Sequence, residues 1–510
     1  MQCIVFTDTK RLAAKYRVSQ QDVNKLLVKN LIYHIQVEFL ILDAAEYQEE
    51  LGSVPTIQDY KNILEDFCKG MGLQPSPKLS LFIIGGDDVI PMPRIPNPIS
   101  ENELLHSDII YCFKGDNISS LDANEAVCNV GRLPLESGSL PSTLSGDLQS
   151  YFNLSNMMLE TGIAVNSVVM TSTESWMPAS NEMVRGLPIS APPAIADATN
   201  DNMYISPSHA TDNARVMRHY QMDISNADML VFNLHGSDAR GYSSFYGEGL
   251  NGHNTPEAFC CEMLKKSGAR IINTVACFGG RYIGYNRKDS MLLSAMYGGG
   301  VILYAGSCSS ALGRTGRIHH VAEDALMPTG YSESMMKLYS LYLFGEMTAG
   351  EAFLRAKCDY FNLCQNVDGE DKALATVLMF NLFGMPTLSV NSNKEVLQIA
   401  RGVKGIRPIN GKHFTYKTIY CENSPSSQIL NDVRLCVDRN LFHIKNTIET
   451  QLYDFWGLNP RDLSKIEEVS DGANPTGYRF EYLNNGNIIN KRTWAYLDLS
   501  GNVKDVVHFK

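Results

Sequence analysis

Two stretches decide how this chain is read: ADMLVFNLHGSD at 227–238 and ARIINTVACFGG at 269–280. Each is an unbroken apolar run that stops at a turn built from small residues. Runs of this kind, apolar at every position rather than at alternate ones, mark parallel strands covered on both faces. In an open parallel sheet, functional groups collect just beyond the carboxyl ends of the strands. If the two strands are neighbours, His235 and Cys277 share one rim of the sheet. The 42 residues from His235 to Cys277 leave room for a single crossover, so adjacency is topologically natural.

Outward from this pair, the same rhythm extends in both directions. Toward the N-terminus, strands are expected at Cys3–Thr7, Val37–Leu42 and Leu79–Ile84, with helices over Val23–Ile35 and Thr56–Met71 between them. A helix carrying Leu148, Tyr151 and Leu154 precedes a strand at Val165–Thr171. Residues 177–215 are rich in Pro, Ala, Ser and Asn without clear periodicity and read as a long loop, a place for a regulatory cut near Arg185. Alternation then resumes, with a helix predicted at Pro256–Ser267, a strand at Val301–Ala305, helices at Glu333–Gly345 and Ala349–Phe361, and a closing strand within 380–390. Beyond residue 396 the pattern turns to β, with strands at His413–Tyr420, Tyr478–Leu483 and Thr493–Leu499. The expected organisation is an N-terminal α/β subdomain at 1–160, a second α/β subdomain with His235 and Cys277 at 161–395, and a smaller β-rich domain at 396–510.

The chemistry follows from the two strand ends. A thiol attacks an amide carbonyl as its thiolate. A neighbouring imidazole takes the thiol proton and later returns it to the leaving amine. The tetrahedral oxyanion needs main-chain N–H donors, for which the amides of Gly236 and Cys277 are the candidates. Taken singly, a histidine at a strand end is more often a structural residue and a cysteine in an apolar run more often core. Two such residues, each ending a matched strand and each flanked by glycine, carry the argument together.

At this point the sequence resembles the clan CD cysteine peptidases, in which one apolar strand ends in His-Gly and another in Ala-Cys; here these are His235-Gly236 and Ala276-Cys277. Within the clan it is most similar to the gingipain-like family, through LFIIGGDDVIP (81–91), SDIIYC (107–112), VGRLP (130–134), GEAFLRAK (350–357) and FNLFGMPTLSV (380–390). The resemblance covers residues 1 to 392. It implies an α/β fold, a caspase/gingipain-like αβα sandwich with a mostly parallel sheet, and endopeptidase activity on polypeptide substrates. It also implies that the strand after the nucleophile lines the substrate pocket, which puts Ser307 and Cys308 there; an acid from elsewhere, Asp108 or Glu248, would be needed to receive a basic side chain. The sequence departs from the family at Val127, where an acidic residue that orients the histidine is usual, and at Met385, where Asp is common. Either Glu125 substitutes as the orienting acid or the pair acts as a dyad.

Composition narrows the field. With 55 acidic against 44 basic residues and a formal charge of −11, the chain is a poor partner for nucleic acid. No window approaches the length of a membrane span, and no leader is visible, so a cytoplasmic location is expected, with secretion from a longer precursor left open. The 12 cysteines include no CxxC pair, and no HExxH or phosphate loop occurs. No metal and no cofactor are expected. A regulatory protein partner is an open expectation. The competing reading is a catalytically silent caspase-like scaffold.

Overall fold

The computed structural model describes the chain except for residues 32–35, 48–50, 52–54, 115–120, 137–140, 174–175, 185–186, 188–202, 207–226, 240, 248–256, 314–330, 346, 392–413, 422–461, 472–473, 486–489, 499–502 and 510. Arg185 and Glu248 therefore lie outside the described residues.

Ten strands form the central sheet: β1 (Gln2–Thr7), β2 (Glu38–Asp43), β3 (Ser80–Ile84), β4 (Asn129–Leu133), β5 (Val168–Thr173), β6 (Met203–Ser206), β7 (Met229–Asn233), β8 (Ile271–Thr274), β9 (Leu303–Ser307) and β10 (Phe380–Gly384). Their order across the sheet is β2-β1-β3-β4-β10-β9-β8-β7-β5-β6. Every neighbouring pair is parallel except β9 with β10. That one antiparallel seam makes the two halves run in opposite directions. The carboxyl ends of β7, β8 and β9 thus share a rim with the amino ends of β3, β4 and β10, and the Gly85-Gly86 turn after β3 lies at the far rim.

The strands are apolar at successive positions because both faces are covered. β3, β7, β8, β9 and β10 are buried along their whole length. Helix Pro141–Thr161 packs on the sheet through Tyr151, whose hydroxyl donates to the Ile302 carbonyl and accepts from the Met385 N–H. Helix Ile57–Gly70 starts where the capping pattern predicts. Thr56 accepts from the Asp59 N–H, and Asp59 caps back to Thr56.

Three expectations are corrected. The 177–215 segment contains a helix, Met177–Val184, and the edge strand β6. The helix has Pro178 in its first turn, where the missing N–H costs nothing. The helix predicted at Pro256–Ser267 is a strand, Glu257–Cys260, followed by one helical turn, Cys261–Leu264; pairing with Ser244–Tyr246 overrides helical spacing. Helices Thr9–Tyr16 and Glu370–Met379 were not foreseen.

The C-terminal region forms an antiparallel sheet of β11 (Phe414–Cys421), β12 (Leu463–Asp471), β13 (Asn474–Asn485), β14 (Asn490–Asp498) and β15 (Val503–Phe509). A sixth member comes from the α/β part. Leu312–Gly313, just past β9, pairs antiparallel with β15, Leu312 opposite Phe509 and Gly313 opposite His508. Trp494 of β14 joins the main hydrophobic core, and the Lys372 ammonium sits 3.4 Å from the centre of the Tyr496 ring. Among the described residues no helix is long and apolar enough to cross a membrane.

Helix Ala349–Asp368 is anchored on the sheet by a buried cation. Lys357 Nζ donates to the Phe380 carbonyl at 2.6 Å, and burial pushes its ammonium down to about 8 from 10.5. Between those two values the unfolded chain binds more protons than the folded one, so this group makes stability rise with pH. The difference in unfolding free energy between wild type and Lys357→Met is therefore expected to move in favour of wild type by roughly 3 kcal/mol from pH 7 to pH 11. Denaturant melts of both proteins across that range measure it; a pH-independent difference would contradict it.

Candidate active site

β7 and β8 pair in parallel with Phe232 opposite Thr274. His235 lies three residues beyond Phe232 and Cys277 three beyond Thr274, so the register carries both to the same level of the same rim. The Val275 N–H donating to the Phe232 carbonyl at 3.0 Å continues the ladder past the last paired residues. Beyond it the chains touch at the backbone. A Cβ on Gly236 would stand 1.7 Å from the Cys277 carbonyl oxygen and 2.9 Å from its nitrogen. No side chain fits there, so glycine is what permits this approach. The candidate oxyanion residues, Gly236 and Cys277, are thus in direct contact. His235 opens a short strand, His235–Ser237, paired antiparallel with Ser244–Tyr246, which fixes its main chain.

Cys277 is held by a sharp turn. Phe278 has φ 56°, the left-handed region that bulky side chains avoid. Its N–H donates to the Ser309 carbonyl at 2.9 Å, and the Gly280 N–H donates to the Ser307 carbonyl at 2.7 Å. These bonds dock the turn against the end of β9. The Cys277 sulfur accepts from the Ala311 N–H at 3.1 Å. The Cys277 thiol in turn lies 3.8 Å from the Ala311 carbonyl oxygen, so both main-chain groups of Ala311 face the sulfur. Burial pushes the Cys261 and Cys308 thiols up to about 12 and that of Cys3 higher still. Cys277 is 5% exposed and His235 2%.

The loops leaving the two strands are tied together. Arg281 pairs with Asp238, which also accepts from the Tyr285 hydroxyl at 3.3 Å. The imidazole of His235 packs against Trp176, ring centres 4.5 Å apart. Trp176, Ala311 and the Asp238–Arg281 pair went unnoticed in the sequence because each acts through a partner distant in the chain.

The remaining predicted residues separate. Ser307 and Cys308 do lie beside the Cys277 turn, but both are engaged: Ser307 Oγ donates to the Ser309 carbonyl at 2.9 Å, and the Cys308 thiol contacts the Gly280 carbonyl at 3.3 Å. Asp108 is corrected. Both carboxylate oxygens accept from Arg132, at 2.6 and 2.7 Å, and both residues are buried. Arg132 also donates to the carbonyls of Gly85 and Ile90. The carboxylate is committed to holding Arg132 inside the fold and has no charge to offer a substrate. Glu125 is corrected as well. It is exposed on the turn leading into β4, and β10, β9 and β8 intervene between β4 and β7. Four strand spacings make about 19 Å, too far for it to orient His235.

The profile of peptidase family C25 matches residues 34–391, most of the chain. The chain belongs to peptidase family C25. This is the gingipain family of clan CD cysteine peptidases, and the mixed α/β architecture with a large, mostly parallel sheet is that of the caspase-like fold. A solved structure described as "Structure of Protease" is similar over 100% of this chain and 97% of its own, at 10% identity and a TM-score of 0.48. A comparison with curated proteins finds no match.

The contact at Gly236 generates a prediction. Gly236→Ala forces the two strand ends apart, which overpacking data place at about 1–3 kcal/mol. The variant is expected to melt at lower temperature and to lose at least 100-fold in the rate of Cys277 alkylation or peptide hydrolysis. Wild-type rates in Gly236→Ala would show that the approach is not needed.

Proposed function

We propose that this C25 member is a cysteine endopeptidase in which Cys277 is the nucleophile and His235 the general base. The observation that carries the reading is the parallel register that brings both side chains to one rim with Gly236 packed on the Cys277 backbone. In this reading His235 takes the thiol proton, and the thiolate attacks the scissile carbonyl. The oxyanion accepts from the amides of Gly236 and Cys277. His235 then protonates the leaving amine, the amine departs, and water, deprotonated by His235, hydrolyses the thioester to free the enzyme. The substrate is a polypeptide. Cys277→Ala is expected to abolish hydrolysis of an unfolded protein such as casein while leaving the melting temperature near that of wild type. Undiminished hydrolysis in that variant would remove Cys277 from the mechanism.

Activation belongs to the same reading. Ala311 donates to the nucleophile, and the next two residues pair with the C-terminal strand β15. That strand holds a main-chain edge beside a nucleophile that is almost wholly buried. We read it as a latch whose departure opens the rim to substrate. The full-length His508→Pro/Phe509→Pro variant removes the main-chain N–H groups of both β15 residues in this last pairing; His508 also pairs with Thr493 of β14, while the pairing of Val506 and Val507 with β14 is kept. It is expected to alkylate at Cys277 with iodoacetamide at least five-fold faster than wild type, and to hydrolyse casein faster. An unchanged alkylation rate would rule the latch out whatever the hydrolysis shows.

A further inference from the structure

The sheet gives His235 two flanks. Cys277 stands on the β8 side. On the other side β5 pairs with β7, Asn233 opposite Ser172, and Trp176 follows shortly after β5 ends. The indole is 1% exposed and its centre lies 4.5 Å from that of the imidazole, the planes inclined by 59°. The ring faces the imidazole and not the solvent, so its contact with His235 is the route by which it can act on the site.

Trp176 is itself pinned. It leads directly into helix Met177–Val184. On that helix, Ser180 Oγ lies 2.5 Å from Ser172 Oγ and accepts from Asn233 Nδ2 at 2.9 Å. Ser172 and Asn233 form the last rung of the β5–β7 ladder, and all three residues are fully buried. The segment bearing Trp176 is thereby clamped to the rung two residues before His235. The clamp is polar and internal, so it fixes the helix with a definite geometry rather than by apolar contact alone.

We propose that Trp176 is the positioning residue of His235. This rests on the peptidase reading of Cys277 and His235. The indole is a wall that denies the imidazole the rotamers pointing away from Cys277. The ring centres also lie within the range at which an aromatic ring attracts a cation, so in this proposal the indole favours the imidazolium that forms when the thiol proton is taken. The two effects make separable predictions: losing the wall lowers the rate of the chemical step, and losing the ring face moves the histidine's titration.

The test uses full-length Trp176→Leu and Trp176→Phe. The first readout is the pH dependence of Cys277 alkylation by iodoacetamide, with His235→Asn identifying the inflection that belongs to His235. This readout does not depend on peptide hydrolysis. In Trp176→Leu that inflection is expected to fall by about half a pH unit or more, as the loss of a cation–π contact implies. The second readout is hydrolysis of casein-derived peptides, where kcat is expected to fall at least ten-fold with KM within two-fold. Trp176→Phe keeps a ring face and is expected to restore most of both. If Trp176→Leu lowers only the melting temperature and leaves the His235 inflection in place, Trp176 is core and the proposal fails. If wild type alkylates with a His235-dependent inflection but cleaves no peptide, the positioning role stands on the first readout and the peptidase reading fails.

Discussion

The backbone of Gly236 lies against the backbone of Cys277 more closely than any β-carbon would allow. Much of the site's geometry depends on this contact. It requires β7 and β8 to be neighbours, parallel and in a register that ends both at one level. It requires a residue without a side chain directly after the histidine. It requires Cys277 to sit at the start of a turn that leaves the sheet at once, which the left-handed Phe278 provides. Backbone strain at that position is tolerated because the turn is bonded to the end of β9 at two amides.

The antiparallel seam between β9 and β10 has a second consequence. By reversing the direction of one half of the sheet, it separates two polar centres that a uniformly parallel sheet would crowd on a single rim. The Gly85-Gly86 turn is fastened by Arg132 at the far side, where the buried Arg132–Asp108 pair stitches three chain segments together: β4, the loop from Gly85 to Ile90 and the stretch at Asp108. Breaking such a pair leaves an uncompensated buried charge, so its role is to hold the first half of the sheet in shape. The opposite rim is left to His235, Cys277 and the loops tied by Asp238 and Arg281.

Membership of family C25 brings a peptidase expectation to a chain whose Cys277 and His235 are both nearly inaccessible. The fold gives this enclosure named sources: Trp176 behind the imidazole, Ala311 on the sulfur, and the β15 strand beside Ala311. Two of the three come from segments that cross between parts of the chain far apart in sequence. The β-rich C-terminal sheet is physically continuous with the α/β part through a two-residue pairing and through the packing of Trp494 and Tyr496 on the main core.

What the residue order alone determined was local and periodic. Unbroken apolar runs that stop at glycine identified β7 and β8, a cap-like start at Thr56 marked a helix, and His-Gly and Ala-Cys at matched strand ends singled out His235 and Cys277 as the candidate pair. These are legible because strand burial and helix capping act over a few residues. Tertiary structure decided the rest. That β10 runs against β9, that Glu125 lies across three strands from the histidine, that Asp108 serves Arg132, and that Trp176 and Ala311 reach the site are all results of strand order. Strand order is set by which apolar faces pack together over the whole chain, and no short window of sequence carries that information.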